Sequence, residues 1–120
     1  MKTIQTVAAL VLGLGLGSGS ALAEMAKGEQ ITAAISGNTI QGNMASSGPY
    51  AEYYAADGTV FGKDYKAKWS VEGDTMCWVY DGSPKDCWGA EIAGDQVKWV
   101  KDGKAQGSGT VAKGNPNDFK

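Results

Sequence analysis

Lys68-Trp69-Ser70-Val71-Glu72-Gly73-Asp74-Thr75-Met76-Cys77-Trp78-Val79-Tyr80-Asp81-Gly82-Ser83-Pro84-Lys85-Asp86-Cys87-Trp88-Gly89-Ala90-Glu91-Ile92 is the stretch whose reading decides the fold. Large apolar residues alternate with polar ones on either side of Glu72-Gly73-Asp74 and of Asp81-Gly82-Ser83. Period-two alternation broken by Asp-Gly or Gly-Asp is the mark of antiparallel hairpins, because such turns need φ > 0 near their centre. A hairpin centred on Gly82 sets Cys77 opposite Cys87, where cross-strand Cβ atoms come within bridging range. The same register sets Met76 opposite Trp88. A two-residue loop at Gly94-Asp95 pairs Ile92 with Val97 and Ala90 with Trp99. A two-residue loop at Glu72-Gly73 pairs Trp69 with Met76 and Ala67 with Trp78; a three-residue loop at Glu72-Gly73-Asp74 would change that part. Tyr65, Ala67, Trp69, Val71, Met76, Trp78, Trp88, Ala90, Ile92, Val97 and Trp99 then share one face. A one-residue slip would turn a strand inside out, so this agreement fixes the register. The disulfide falls on the opposite face, outside the main core.

The same punctuation continues outward. Asp57-Gly58 and Asp102-Gly103 are further turn signals, and the runs between turns predict about eight strands, near 38–44, 50–56, 59–63, 65–71, 75–80, 86–93, 96–101 and 105–112. The expected fold is all-β: an up-and-down antiparallel meander, closed into a small barrel or strongly curved. Ile31, Ala34 and Ile35 lie on one helical face before Gly37, which predicts one short N-terminal helix covering an end. The glycine-rich run Ala105–Val111 implies a bulge, an edge or the close approach of another backbone. The tail 113–120 reads as irregular, with Phe119 tucked back.

The first 23 residues have a different character. Lys2 is followed by the apolar run Val7–Leu16, the break Gly17-Ser18-Gly19-Ser20 and then Ala21-Leu22-Ala23. A short positive start, an apolar core and a small-x-small site are the parts of a cleaved signal peptide. A membrane anchor would need about 20 apolar residues, and this core is shorter and rich in glycine. No cysteine sits at the cleavage site, so the lipoprotein route is closed. The expected mature chain is Glu24–Lys120, 97 residues forming one β domain, with no membrane span after cleavage.

Composition narrows the chemistry. All eleven basic residues are lysines, and loss of Lys2 leaves ten against thirteen acids. A mildly acidic chain without basic clusters is a poor partner for nucleic acid. In an oxidising compartment Cys77 and Cys87 are expected to pair. Nine intervening residues are too many for a C-x-x-C redox motif. The chain contains no histidine, so the common general base and the common metal ligand are both missing. Glu52, Asp64, Glu72 and Glu91 could in principle form a carboxylate pair, but nothing sets two of them apart and each reads more simply as a turn or surface acid. Asp81–Asp86 lacks the oxygen ladder of a calcium loop. No catalytic residue, metal or cofactor is therefore expected.

The order Ile35-Ser36-Gly37-Asn38-Thr39, Ala56-Asp57-Gly58-Thr59-Val60, Lys68 through Cys77, a second cysteine and a Gly-Asn-Pro tail resembles small periplasmic proteins of unknown function from Gram-negative bacteria with lipocalin-like meanders. That resemblance implies a β barrel and a periplasmic or secreted location; it supplies no activity. More distantly the chain is similar to small periplasmic β-barrel inhibitors of secreted metalloproteases, without their N-terminal trunk or cysteine spacing.

Two functional readings follow. Tyr53, Tyr54 and Phe61, read as an exposed patch, suit a non-enzymatic envelope accessory or inhibitor that contacts another protein. Trp69, Trp78, Trp88 and Trp99 on one face suit either a filled core or a barrel that carries a small apolar or aromatic ligand.

Overall fold

The computed structural model describes residues 24–120. The predicted leader, residues 1–23, lies outside the described residues. Helix α1 (Gly28–Ile35) precedes eight antiparallel strands: β1 (Asn38–Met44), β2 (Gly48–Tyr54), β3 (Thr59–Gly62), β4 (Tyr65–Glu72), β5 (Thr75–Val79), β6 (Asp86–Ala93), β7 (Gln96–Lys101) and β8 (Lys104–Lys113). Each strand pairs with the next, and β1 pairs with β8, so the sheet closes into a barrel. Closure settles the choice between barrel and curved sheet. It also settles the role of the last strand, which bonds on both sides and is no edge.

The Cys77↔Cys87, Met76↔Trp88, Ile92↔Val97 and Ala90↔Trp99 pairs form as the alternation predicts. The β4–β5 register differs. Gly73-Asp74 is the loop, so Trp69 faces Trp78 and Val71 faces Met76. Gly73 takes φ +59° at the first central position, which a II′-type hairpin reserves for glycine. Thr75 Oγ1 donates to the Glu72 carbonyl at 2.7 Å and closes the same turn. Because the shift is by two partners, the apolar face is preserved.

The interior is filled most tightly at one end. Ile31 and Ile35 of α1 are fully buried against the barrel together with Ile40, Val60, Val97 and Trp99. The Gly28 N–H donates to Asp74 Oδ1 at 2.8 Å. A carboxylate on the free N–H groups of a helix start is favourable, and here it moors α1 beside the Gly73-Asp74 turn. The helix therefore plugs the barrel end formed by that turn.

Room for the large side chains comes from β8. Gly107 lies opposite Trp99 and Gly109 opposite Val97. A Cβ on Gly109 would stand 2.5 Å from Tyr50 Oη and 2.6 Å from Ile40 Cγ2. Of the three meanings glycine has in this strand, close approach of another backbone holds at Gly107, where a Cβ would stand 2.7 Å from the Asn43 carbonyl oxygen, and a register irregularity also occurs between Trp99 and Val100.

The disulfide joins Cys77 to Cys87 on the outward side of β5 and β6, with Cα atoms 4.0 Å apart. Cys77 is buried, yet it packs outside the main apolar cluster. The bridge closes a short segment, its cysteines ten positions apart, and loop entropy makes such a link worth about 2–3 kcal/mol. Reduction, or paired Cys77→Ala and Cys87→Ala substitution, should lower the unfolding free energy by about that amount, read as a lower urea midpoint. An unchanged midpoint would contradict this.

Candidate functional site

The end opposite α1 is open. A cavity of about 800 Å³ runs inward from a mouth formed by Ser46, Ser47, Pro84 and Lys85. Its walls carry Tyr50, Trp78, Trp88 and Trp99, with Glu52 and Tyr54 deeper in. Three of the four tryptophans named from the sequence thus line one space. Trp69 does not; its indole N–H donates to the Ala55 carbonyl at 2.8 Å and its ring meets Tyr54 edge-on in the filled half.

Tyr50, Glu52 and Tyr54 sit at alternate positions of β2, and alternation turns all three inward. Glu52 is only 5 % exposed. Its Oε1 accepts from Tyr54 Oη at 2.6 Å, and its Oε2 accepts from Tyr65 Oη at 2.6 Å and Tyr80 Oη at 2.8 Å. Trp78 Nε1 donates to Tyr54 Oη at 3.1 Å, extending this chain. A second chain runs from Trp99 Nε1 to Tyr50 Oη at 3.0 Å, and from there to the Ser108 carbonyl at 3.1 Å. A buried acid must have its oxygens satisfied, and the three phenols do this without any cation. The expectation that Glu52 is a surface or turn acid is corrected: it is the polar centre of the cavity.

The phenols respond to this placement. Burial raises the pKa of Tyr54 well above its ordinary value, and the negative charge of Glu52 raises it further. Tyr65 and Tyr80 are raised for the same two reasons, burial first. Tyr50 is raised by burial, against the opposing hydrogen bond from Trp99. All four stay protonated donors across the neutral range.

The lysines at the mouth already have partners. Lys101 pairs with Asp86, holding that carboxyl below the usual range, and Lys85 pairs with Glu72 at 2.6 Å with the same effect. The nearby Trp88 indole also favours the charged Asp86, although buried Trp88 Nε1 lies outside hydrogen-bonding geometry with any acceptor among the described residues. Lys101 Nζ sits 5.8 Å from the Trp88 ring centroid.

The remaining named residues fall elsewhere. Tyr54 is 1 % exposed inside the barrel, so it does not share an outer patch with Tyr53 and Phe61. Those two stack on the outer wall with centroids 6.0 Å apart, and Lys66 Nζ lies 5.2 Å over Phe61. A more open depression of about 680 Å³ beside them includes Phe61, Lys66 and Val79. Glu91, expected in solvent, is largely covered: Met25 bridges to it, and Ala26 N–H bonds the neighbouring Ala90 carbonyl. Glu72, Cys77 and Cys87 lie at metal-ligand spacing. The two sulfurs are bonded to each other, and a metal ligand is a thiolate, so this cluster offers one carboxylate only.

Comparison with known proteins returns no matching family, no matching curated protein and no matching solved structure.

Proposed function

We propose that this protein is a non-enzymatic binding protein that holds a small, largely apolar or aromatic molecule inside its barrel. The observation that carries the reading is the aromatic-walled cavity of about 800 Å³, closed by α1 at one end and reached from the other. That volume lies within the range of about 300–1,000 Å³ usual for small-molecule sites, as does the pattern of apolar walls with a few fixed polar groups. The two hydrogen-bond chains hold Tyr50, Tyr54, Trp78 and Trp99 in place before a ligand arrives, which reduces the ordering cost of binding.

Export to the periplasm, or secretion, is part of the proposal. It draws support from the leader pattern in residues 1–23 and from the disulfide, which persists in oxidising compartments. Among the described residues, no helix is long and apolar enough to cross a membrane. The outward positions Lys66, Lys68, Ser70 and Glu72 of β4 are exposed and polar, unlike the apolar band of a lipid-facing barrel. A protein-contacting role would rest on Tyr53, Phe61 and the depression beside them; with Tyr54 turned inward, it has less to stand on than the cavity.

Native mass spectrometry of the protein purified from its own host should reveal a bound small molecule that is released on unfolding. If the chain carries no extra mass, and no fraction of a small-molecule extract alters its tryptophan fluorescence, the reading fails.

A further inference from the structure

We infer that the cavity selects an organic cation, an ammonium group carried on an apolar or aromatic body. This deepens the ligand-binding proposal and rests on it. Three observations converge. First, Glu52 and Asp86 are the acids that line the cavity, and Glu52 is the one without a basic partner among the described residues: Asp86 is joined to Lys101, and Lys85 at the mouth is joined to Glu72 on the outer wall. The lysines at the mouth are thus already neutralised, and the charge that remains inside is negative. Second, Glu52 does not spend its full capacity. An ionised carboxylate has about four acceptor sites, and its three phenolic bonds leave one on Oε1, which accepts only from Tyr54. Third, the surrounding walls are aromatic, with Tyr50, Trp78, Trp88 and Trp99 facing the space. The negative faces of aromatic rings attract a cation, by up to about 2 kcal/mol when it is desolvated.

An anion meets the opposite conditions, because it would approach the Glu52 carboxylate, a group of its own sign, in a cavity whose lysines are already paired. A neutral apolar ligand gains from the walls but leaves the Glu52 charge uncompensated. The phenols of Tyr65 and Tyr80, which face Glu52 from β4 and from just beyond β5, position the carboxylate from the mouth side and do not neutralise it.

The test compares two probes of the same shape, (3-hydroxyphenyl)trimethylammonium and 3-tert-butylphenol, by titration calorimetry. The folded wild-type protein should bind the cation at least about tenfold more tightly than its neutral isostere. Glu52→Gln should abolish most of that preference while leaving the neutral probe within about threefold, which also shows that the variant cavity is intact. Equal or tighter binding of the neutral probe by wild type would overturn the inference and leave the ligand-binding proposal standing. If neither probe binds, the cation inference falls, and the native mass spectrum decides the ligand-binding proposal separately. A cation preference that survives Glu52→Gln would overturn the assignment to Glu52. Should Glu52→Gln not fold, the wild-type pair alone decides between charge and shape.

Discussion

Trp99→Ala should destabilise the barrel by about 3–5 kcal/mol, the usual loss for removing a buried aromatic side chain. Trp99 is 1 % exposed, its ring centroid is 5.0 Å from that of Trp78 in an edge-to-face contact, and its indole N–H holds Tyr50. Gly107 opposite it and Ala90 on the other side are small, so neither side chain can expand into the gap. Small domains have only about 5–15 kcal/mol of stability in all, so the variant should be near the edge of folding. Trp88→Ala, a half-buried residue by the mouth, should cost less. Urea unfolding followed by far-ultraviolet circular dichroism measures both. A Trp99→Ala midpoint close to that of wild type would mean that the tryptophan does not carry the packing assigned to it.

Alkaline pH should unfold the protein steeply. Tyr50, Tyr54, Tyr65 and Tyr80 all have folded-state pKa values above the ordinary phenol value of 10.0. In the unfolded chain they ionise near pH 10, while in the barrel they keep their protons. The folded form therefore binds more protons in that range, and stability falls as pH rises. The contribution is intact below about pH 10 and is lost on the way up to the folded-state values. Fully buried Tyr54 can contribute up to about 1.4 kcal/mol per pH unit. Tyr65 and Tyr80 are 42 % and 36 % exposed, so solvent screening reduces their share. Glu52→Gln removes one source of the upward shift and should flatten the decline; burial, the larger cause, remains. Urea midpoints measured between about pH 8 and pH 11.5 test this. A midpoint that does not fall across that span would contradict the buried phenol network.

The parts of this account that were legible in the sequence are those governed by alternation. Apolar residues recur at every second position within the strands (Tyr65 to Val71, Met76 and Trp78, Trp88 to Ile92, Val97 and Trp99), and hairpins in register must place them together. The Cys77–Cys87 pair followed from the Gly82 centre for the same reason. The β4–β5 register differs by two partners from the one alternation predicts, because Glu72-Gly73 and Gly73-Asp74 are both plausible loops. The position of Gly73 at the first central residue of its turn distinguishes them, and it becomes evident only once the backbone is set. Strand β2 was less legible. In Tyr50-Ala51-Glu52-Tyr53-Tyr54, alternation puts Glu52 on the same side as Tyr50 and Tyr54, so the signal was present. A charged residue on an inward position contradicts the ordinary apolar pattern, and reading Tyr53 with Tyr54 as one surface patch obscured it. Its inward placement depends on phenols from β4 and from just beyond β5, partners that no local pattern in β2 announces. Thr39 gives a smaller example. It points outward yet is fully buried, because the chain returns over it and Thr39 Oγ1 donates to the Gly114 carbonyl at 2.8 Å.

The central claim is that ligands enter the barrel and sit among three of its four tryptophans. Indole N–H signals in a ¹H–¹⁵N spectrum report on each of these residues separately. Titration with (3-hydroxyphenyl)trimethylammonium or 3-tert-butylphenol should move the Trp78, Trp88 and Trp99 signals saturably and leave Trp69, locked to the Ala55 carbonyl, in place. Shifts confined to residues around Tyr53 and Phe61 on the outer wall, or indole signals that stay fixed throughout, would contradict it.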